Sequence, residues 1–539
     1  MVESDSSPVV EEVIASINDV PPGTKKMFEL YDRKILVIND NGSLYAINGL
    51  CSHYNFPLEN GIYANGRIRC PLHGACFNVK TGDIEEYPGF DSLHTFDVRV
   101  ENDSIILKTT EKILKTGDRR RRVCKKVAKC EDRPIIVIGG GVATATFIEH
   151  SRLNGLQTPI VVISEESFTP YDRVLLSKKP AVKGEEIKIR DDEYYKERNV
   201  SFKLNTTVTE VLPNKRQVNL LNGESLQYSK LIIATVGKPR KLSIPGSDLK
   251  NIFYVRKVHE ANEIAEKHVG KHVVCIGASF IGLEMASALA ANAASVTVIA
   301  NSEEPLPMFG VSIGRGYRKR FESKGVKFER NANVIELRGE NGDVRAVVLS
   351  NGVEVAADLV VVGIGITPAT EFLKISGIAV DSRGFITVDE KFRTNKNFIF
   401  AIGDVVSFPL PQWNIESINI QHFQTAQTHG QHLGYSIVGK PHPGAIVPYF
   451  WSLFFFEFGI KFSGCSHGAN GEWYFGDPEE LNFVKYYLKD NRVIAVASGG
   501  PSKAAVEFAE LFKRGITITL DDLKKSEDHV WTSRLIISQ

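Results

Sequence analysis

The sequence predicts a multidomain protein with an all-β N-terminal domain, an α/β region built on two βαβ units, and a small α+β C-terminal domain. Short strand-like segments separated by turn signals fill residues 9–110, which is typical of an all-β domain. Two buried-strand patterns, at 134–141 and 272–282, each run into a glycine-rich turn and a helical stretch. Residues 447–539 combine strand-like segments with a helix.

A basic segment separates the N-terminal domain from the α/β region. Nine Lys and Arg residues fall between Lys115 and Arg133, including the run Arg119 to Arg122. The segment has no apolar periodicity, so we interpret it as a solvated linker and consider a nucleic-acid site less favoured. The predicted N-terminal domain is 9–110, followed by the linker 111–133. The first dinucleotide-binding domain comprises 134–254 and 379–446, and the second comprises 255–378. The C-terminal domain is 447–539.

Composition and charge exclude several classes of protein. A net charge of +1 over 539 residues gives no general attraction to nucleic acid or membranes. Seven scattered cysteines are too few for a secreted disulfide framework. The first twenty residues hold five acids and no Lys or Arg, unlike a cleavable targeting peptide. The apolar stretch 446–462 is too short and too charged to span a membrane, so we expect a cytoplasmic protein, with mitochondrial association through an uncleaved signal as the alternative.

Two short Cys-His motifs in the N-terminal domain have the spacing of metal ligands. Cys51 and His53 form the first pair, and sixteen residues separate His53 from the second pair, Cys70 and His73. A Rieske-type [2Fe-2S] cluster takes two thiolates on one iron and two imidazoles on the other, from two such loops. A structural zinc ion accepts the same ligand types and is the main alternative.

The first glycine-rich turn follows a buried strand and has the pattern of a dinucleotide site. Gly139 and Gly141 match the first two glycines of G-x-G-x-x-G, whereas Thr144 replaces the third. These glycines allow a tight turn and close approach of a pyrophosphate to a helix N-terminus. After the next predicted strand, Glu165 has the position of a carboxylate that binds ribose hydroxyls.

The second glycine-rich turn predicts a second nucleotide site. This turn contains Gly277, Ser279 and Gly282, which are predicted to contact the nucleotide. After the following strand, NAD sites usually present an acid, but this chain has Ala300 and Asn301. Since no Lys or Arg follows at once, the sequence leaves NADH and NADPH both open, with NADH slightly favoured.

Over roughly its first 110 residues the chain resembles Rieske-type ferredoxin domains. High-potential members carry a disulfide beside the cluster, but this chain has Phe56 and Leu72 at those positions. Ala75 stands where those members have a serine hydroxyl that binds a cluster sulfur. The resemblance therefore implies a low-potential cluster. Cys76, just after the motif, is interpreted as a structural thiol.

Residues 134–455 resemble the pyridine-nucleotide:flavin oxidoreductases, with matching segments at 170–173, 176–178 and 400–404. The resemblance implies FAD at the first nucleotide site and NAD(P)H at the second. It also implies a Lys178–Glu284 pair near the flavin, with Trp451 close by. The further flavin contacts that it implies are Arg173, Ala234, Thr235, Asp404, His422 and Phe423.

The order of a Rieske domain, a basic linker, a flavoprotein core and a C-terminal domain resembles the apoptosis-inducing-factor-like Rieske flavoproteins. The resemblance implies electron transfer from NAD(P)H through FAD to the cluster and an unknown acceptor, with links to mitochondria and apoptosis. Disulfide reduction is not expected, because Cys124 and Cys130 lie in the linker, away from the first glycine-turn helix. The rival hypothesis is a redox sensor that holds NADH for long periods with little turnover.

Overall fold

A computed structural model describes residues 7–117, 119–124, 127 and 133–536. The rest of the predicted linker 111–133, including Cys130, lies outside the described residues. The chain divides into two compact units. The first unit comprises Met1–Cys124, Val447–Tyr449 and Lys503–Gln539, and the second comprises Lys125–Ile446 and Phe450–Ser502.

The N-terminal part of the first unit is all-β, as predicted. A six-stranded antiparallel sheet has the order Val9–Ser16, Ser104–Thr110, Thr95–Glu101, Ser43–Asn48, Arg33–Asp40 and Lys25–Leu30. A four-stranded antiparallel sheet contains Ile62–Ala64, Arg67–Arg69, Cys76–Asn78 and Ile84–Glu86. The predicted ligand loops follow Ser43–Asn48 and Arg67–Arg69, so both start from the ends of ordered strands.

The C-terminal segment of the first unit is helical, with helices Ala504–Lys513, Leu520–Lys525 and Thr532–Ile536. Helix Ala504–Lys513 buries Glu510, which accepts hydrogen bonds from Arg67 and Arg69 of the four-stranded sheet. The predicted C-terminal domain 447–539 is thus divided between the two units. Its helical part belongs to the same unit as the N-terminal sheets, and Glu510 has its ion-pair partners there.

The basic run of the linker makes specific contacts within the first unit, where helix Glu111–Lys115 precedes it. Arg119 donates to the backbone carbonyl of His53, and Arg120 forms an ion pair with Asp83. These two side chains are therefore engaged by the protein itself, whereas the sequence alone predicted a solvated linker.

Two parallel five-stranded sheets form the α/β core of the second unit, as predicted. Branched apolar residues fill their buried central strands, which is typical of sheets covered on both faces. The first sheet has the order Val200–Lys203, Ile160–Ile163, Ile135–Ile138, Lys230–Ile233 and Ile399–Ala401. The second has the order Ile252–Phe253, Leu359–Val362, His272–Ile276, Ser295–Ile299 and Val326–Glu329. The helices of this core are Val142–Leu153, Asp192–Glu197, Val258–Lys267, Phe280–Leu289, Val311–Ser323 and Phe423–Ser436.

Small residues bring the helices of the first α/β sheet close together. A Cβ atom at Gly430, in Phe423–Ser436, would lie only 2.3 Å from the carbonyl oxygen of Ala143 in Val142–Leu153. This contact fixes the start of Val142–Leu153, and with it the first glycine turn, against a helix from much later in the chain.

A third five-stranded sheet consists of C-terminal strands. Their order is Tyr449–Phe454, Phe458–Gly464, Arg492–Gly499, Asn482–Lys489 and Gly471–Asp477. The apolar stretch 446–462 therefore forms sheet strands, as expected for core. None of the helices within the described part of the chain has the length and apolar character that crossing a bilayer requires.

Smaller sheets complete the second unit. Three of them are three-stranded, and one is a two-stranded pair. Their strands are Val208–Leu212, Gln217–Leu220 and Ser225–Gln227; Val334–Glu340, Asp343–Leu349 and Glu354–Ala356; Ile386–Thr387, Val406–Leu410 and Ile415–Ile418; and the pair Gly237–Pro239 and Ile366–Pro368.

Candidate functional site

The four predicted metal ligands lie together in the first unit. Cys51 and Cys70 are each 1% exposed, and their thiols are in hydrogen-bonding contact. The Nδ1 atoms of His53 and His73 are 3.1 Å apart. The structure thus brings two sulfur atoms together and two imidazole nitrogens together.

The chemistry of these four side chains fits a [2Fe-2S] cluster. The contact with Cys70, together with burial, raises the pKa of Cys51 well above its ordinary value, so two adjacent thiolates here require bound metal cations. Burial lowers the pKa of His53 to about 3, which keeps its imidazole neutral and able to bind metal. Separate sulfur and nitrogen pairs suit two irons better than one zinc ion.

Apolar side chains occupy the three positions at which this chain differs from the high-potential Rieske pattern. Phe56 and Leu72 pack against the core that contains Cys51 and Cys70, and Ala75 is fully buried. Cys76 is also fully buried, and burial raises its pKa to about 12. Its thiol is therefore protonated at neutral pH, in keeping with a structural role.

The first glycine turn has the close backbone packing that a dinucleotide site needs. Gly139 has φ +110°, and a Cβ atom there would lie 2.3 Å from the carbonyl oxygen of Ala234, just before Thr235. Helix Val142–Leu153 begins directly after Gly141. The Thr144 hydroxyl donates to the Gly139 carbonyl at 2.6 Å, so this residue holds the turn where the motif has a third glycine.

The carboxylates after strand Ile160–Ile163 have different surroundings. Glu165, the predicted ribose ligand, is exposed. Glu166 accepts a hydrogen bond from Arg173 at 2.8 Å. Burial opposes ionisation of Glu166, but the charge and hydrogen bond of Arg173, together with a hydrogen bond from Tyr171 and the charge of Lys257, outweigh burial and lower the pKa of Glu166. Glu166 thus holds Arg173 in place, a role that no sequence motif indicates.

A second arginine that the sequence analysis missed lies beside Arg173. Arg173 donates to the backbone carbonyl of Arg256 at 2.8 Å. Burial and then the like charge of Arg173 lower the pKa of Arg256 to about 10. Within the described residues, buried Nε and Nη2 of Arg256 and Oδ1 of Asp404 have no hydrogen-bond partner. Unsatisfied cationic donors beside a carboxylate acceptor fit a ligand with phosphates and hydroxyls, as FAD has.

His422 lies at the N-terminus of helix Phe423–Ser436. Its Nδ1 atom accepts a hydrogen bond from the backbone N–H of Gln424, so it caps the helix. Burial, with a smaller contribution from the charge of Lys178, lowers the pKa of His422 to about 3. The imidazole is therefore neutral, and it lies close enough to Lys178 for the lysine charge to affect its pKa.

The second glycine turn packs even more tightly than the first. A Cβ atom at Gly282 would lie 1.9 Å from the carbonyl oxygen of Gly277, which itself has φ +106°. Ser279 precedes helix Phe280–Leu289. Ala300, at the end of the neighbouring strand Ser295–Ile299, is buried and offers no carboxylate for a ribose.

Lys178 and Glu284 form a buried ion pair, with Lys178 Nζ 2.8 Å from Glu284 Oε1. Their side chains are 9% and 8% exposed. The Ser452 hydroxyl donates to Glu284 Oε1 at 2.7 Å, and the Ser177 hydroxyl donates to Oε2. The Lys178 ammonium also lies 5.3 Å from the centre of the Trp451 ring. The three residues predicted to act at the flavin are thus in one place, together with two serines that the sequence analysis missed.

Comparison with known proteins agrees with this geometry. The family model described as pyridine nucleotide-disulphide oxidoreductase matches residues 133–430, and that of the Rieske [2Fe-2S] domain matches residues 11–97. Human apoptosis-inducing factor 3 is 36% identical over 518 residues, covering 94% of this chain and 85% of the relative. Rubredoxin-NAD(+) reductase of Ectopseudomonas oleovorans is 32% identical, covering 59% of this chain and 83% of the relative.

Among solved structures, the covalent putidaredoxin reductase-putidaredoxin complex contains a chain with a TM-score of 0.71. That chain is 24% identical and is matched over its full length by 76% of this chain, which supports the fold alone. The predicted fold class is therefore confirmed. The protein is an NAD(P)H-dependent flavin oxidoreductase, and its cofactors are a [2Fe-2S] cluster, FAD and a nicotinamide coenzyme. The chain belongs to the pyridine nucleotide-disulphide oxidoreductase family, within the Rieske-containing, apoptosis-inducing-factor-like group predicted from its motifs.

Proposed function

We propose that the chain takes a hydride from NAD(P)H, passes the electrons singly to its own Rieske centre, and delivers them to a separate acceptor. FAD supplies the conversion from two-electron to one-electron chemistry, because a flavin accepts a hydride while an iron-sulfur cluster takes one electron at a time. The observation that carries the proposal is the buried Lys178–Glu284 pair beside Trp451, within a chain that also carries cluster-binding loops.

The Lys178–Glu284 pair would fix the charge felt by the reacting flavin ring. Glu284 lies two residues after Gly282, so it ties the coenzyme turn to the segment that contains Lys178. Hydroxyls of Ser177 and Ser452 hold both carboxylate oxygens, which orients the pair. Loss of one partner from a buried pair costs about 3–5 kcal/mol, because the remaining charge is unpaired.

Binding of the rest of FAD is assigned to polar groups around the first glycine turn. Arg173 and Arg256 would neutralise the pyrophosphate that approaches the turn of Gly139 and Gly141. The unsatisfied Asp404 oxygen would accept from a ribityl hydroxyl, and exposed Glu165 would bind the adenosine ribose. Further contacts are assigned to Ala234, Thr235, Thr144, His422 and Phe423, and coenzyme contacts to Gly277, Ser279 and Gly282.

The cluster ligands in this proposal are Cys51, His53, Cys70 and His73. Neutral imidazoles and paired thiolates are the forms that Rieske irons bind. The final acceptor, a protein or a small molecule, would receive electrons from the cluster. Relatives include a rubredoxin reductase and a chain solved with putidaredoxin, and those names describe the partners of those proteins.

A stopped-flow experiment under anaerobic conditions, followed by steady-state turnover with an artificial one-electron acceptor, separates this proposal from a redox sensor. An enzyme shows flavin reduction by NADH or NADPH followed by rapid turnover. A stable charge-transfer band with turnover slower than its decay would instead support the sensor.

A role in apoptosis, and an association with mitochondria, are further parts of the proposal. Their support is the name of the human and mouse relatives, apoptosis-inducing factor 3. Expression of the wild-type chain and of Lys178→Met in the same cells, followed by fractionation and cell-death assays, tests both. An equal effect of the two proteins on cell death would separate that role from electron transfer.

A further inference from the structure

Tyr449 belongs to the first unit, with the predicted cluster loops, although it lies far along the chain. Its side chain packs on the loop that carries Cys70 and His73. A Cβ atom at Gly74, the residue after His73, would lie 2.7 Å from Cε1 of Tyr449. Gly74 also has φ +82°, so both its conformation and its contact with the tyrosine ring favour glycine.

The hydroxyl of Tyr449 is buried without a hydrogen-bond partner among the described residues. The residue is 7% exposed. The side chain also lies close enough to Cys70 for the two groups to interact electrostatically. A buried donor without an acceptor is unfavourable, and such groups usually mark the position of a bound partner.

Three backbone carbonyls of the ligand loop already have donors. The Cys70 carbonyl accepts from the N–H of Gly74, and the Ala75 carbonyl accepts from the N–H of Cys70. Arg69 donates to the Gly74 carbonyl at 2.9 Å, and its guanidinium is held in turn by Glu510 at 2.8 Å. The acceptors that a bound cluster adds at this loop are sulfur atoms.

We propose that the Tyr449 hydroxyl donates a hydrogen bond to a sulfur atom on the Cys70 side of the cluster and raises its reduction potential. Reduction adds negative charge to the cluster, and a hydrogen bond to sulfur stabilises that charge. Ala75 has no hydroxyl to do this, so the donor would come from outside the N-terminal domain. The inference rests on the proposed ligand role of Cys70.

The test is a potentiometric titration of the intact holoprotein with dithionite, followed by low-temperature EPR. Tyr449→Phe removes the donor with little change in volume. We expect the equilibrium constant for cluster reduction to fall about tenfold, which is about 59 mV for one electron. The control is Tyr228→Phe, since Tyr228 is buried in the second unit and its hydroxyl also has no partner among the described residues.

Replacement of Tyr449 by 3-fluorotyrosine tests the same bond in the opposite direction and covers the case in which Tyr449→Phe does not fold. Its phenol is more acidic and donates more strongly, so the potential should rise. An unshifted potential in both variants, or equal shifts in Tyr228→Phe, overturns the inference. Absence of a Rieske EPR signal from the wild-type protein would instead contradict the proposed cluster ligands, because the titration uses neither NADH nor flavin turnover.

Discussion

Glu284 is held by three side chains at once: its Oε1 atom lies 2.8 Å from Lys178 Nζ and accepts from Ser452, while Oε2 accepts from Ser177. All of these groups belong to this chain and are buried or partly buried, so the protein itself holds the ion pair in place. This preorganisation is what places a fixed charge where the resemblance implies the flavin.

Replacement of Lys178 by methionine should slow flavin reduction without preventing FAD binding. The substitution leaves Glu284 as an unpaired carboxylate in a buried site, which costs about 3–5 kcal/mol. We expect the rate of anaerobic flavin reduction by NADH to fall by at least about tenfold, which corresponds to 1.4 kcal/mol of barrier. Stopped-flow absorbance measures the rate, and the bound flavin content is measured on the same sample.

A suitable control is Lys267→Met, because Lys267 and Glu263 form an ion pair in which each side chain is 45% exposed. Surface pairs contribute little to stability, so this variant should reduce its flavin as fast as the wild type. Equal rates of flavin reduction in wild type and Lys178→Met would show that the Lys178–Glu284 pair does not contribute to hydride transfer.

Replacement of Glu510 by glutamine should destabilise the first unit. Arg69 would lose a buried carboxylate that it contacts at 2.8 Å, and side chains of both residues are only 3% exposed. We expect the free energy of unfolding to fall by about 3 kcal/mol. Denaturant unfolding, followed by the visible absorbance of the cluster, measures it. Glu527→Gln, at an exposed position of the same C-terminal segment, is the control and should leave the midpoint unchanged.

Glu86 should make the free energy of unfolding of the first unit depend on pH in the acid range. Burial opposes its ionisation, but Arg69, Lys513 and Arg67 outweigh burial and lower the pKa of Glu86 well below its ordinary 4.5. A carboxylate with a depressed folded-state pKa stabilises the fold above its unfolded pKa, and the stabilisation is lost as pH falls through the folded pKa. The difference in free energy of unfolding between wild type and Glu86→Gln should therefore be constant above about pH 5 and shrink below it. If the difference in free energy of unfolding instead grows on acidification, the pKa of Glu86 is not lowered in the folded state.

Ala300 should control the choice of coenzyme. It directly follows strand Ser295–Ile299, where an acid would bind the ribose hydroxyls of NADH and repel a 2′-phosphate. Ala300→Glu should raise the ratio of kcat/KM for NADH to that for NADPH by about tenfold, or 1.4 kcal/mol. Ala300→Gln separates charge from size. The same change in both variants would mean that repulsion of phosphate is not the cause.

Local motifs made much of the fold and site predictable. The Cys-His pairs and the glycine turns lie within a few residues in sequence, because one loop or one turn must present them. Long-range contacts were not predictable in the same way. Arg256, Tyr449 and Glu510 belong to no motif, and each acquires its partners only when distant segments pack.

The C-terminal segment illustrates the same limit. Its strand and helix patterns predicted secondary structure correctly, with the helix found at Ala504–Lys513. Sequence periodicity could not reveal that Glu510 finds its partners in the N-terminal sheets. The predicted domain boundaries remain predictions, as do the roles of individual cofactor contacts such as Glu165.

The central claim is that electrons pass from NAD(P)H through the flavin to the Rieske centre of the same chain. Anaerobic titration of the purified holoprotein with NADH, and separately with NADPH, tests it when absorbance and low-temperature EPR are recorded together. We predict flavin bleaching followed by a rhombic reduced-Rieske signal, which is absent from His73→Ala. If the flavin is reduced while an intact cluster, reducible by dithionite, remains oxidised, the proposed internal electron transfer is contradicted.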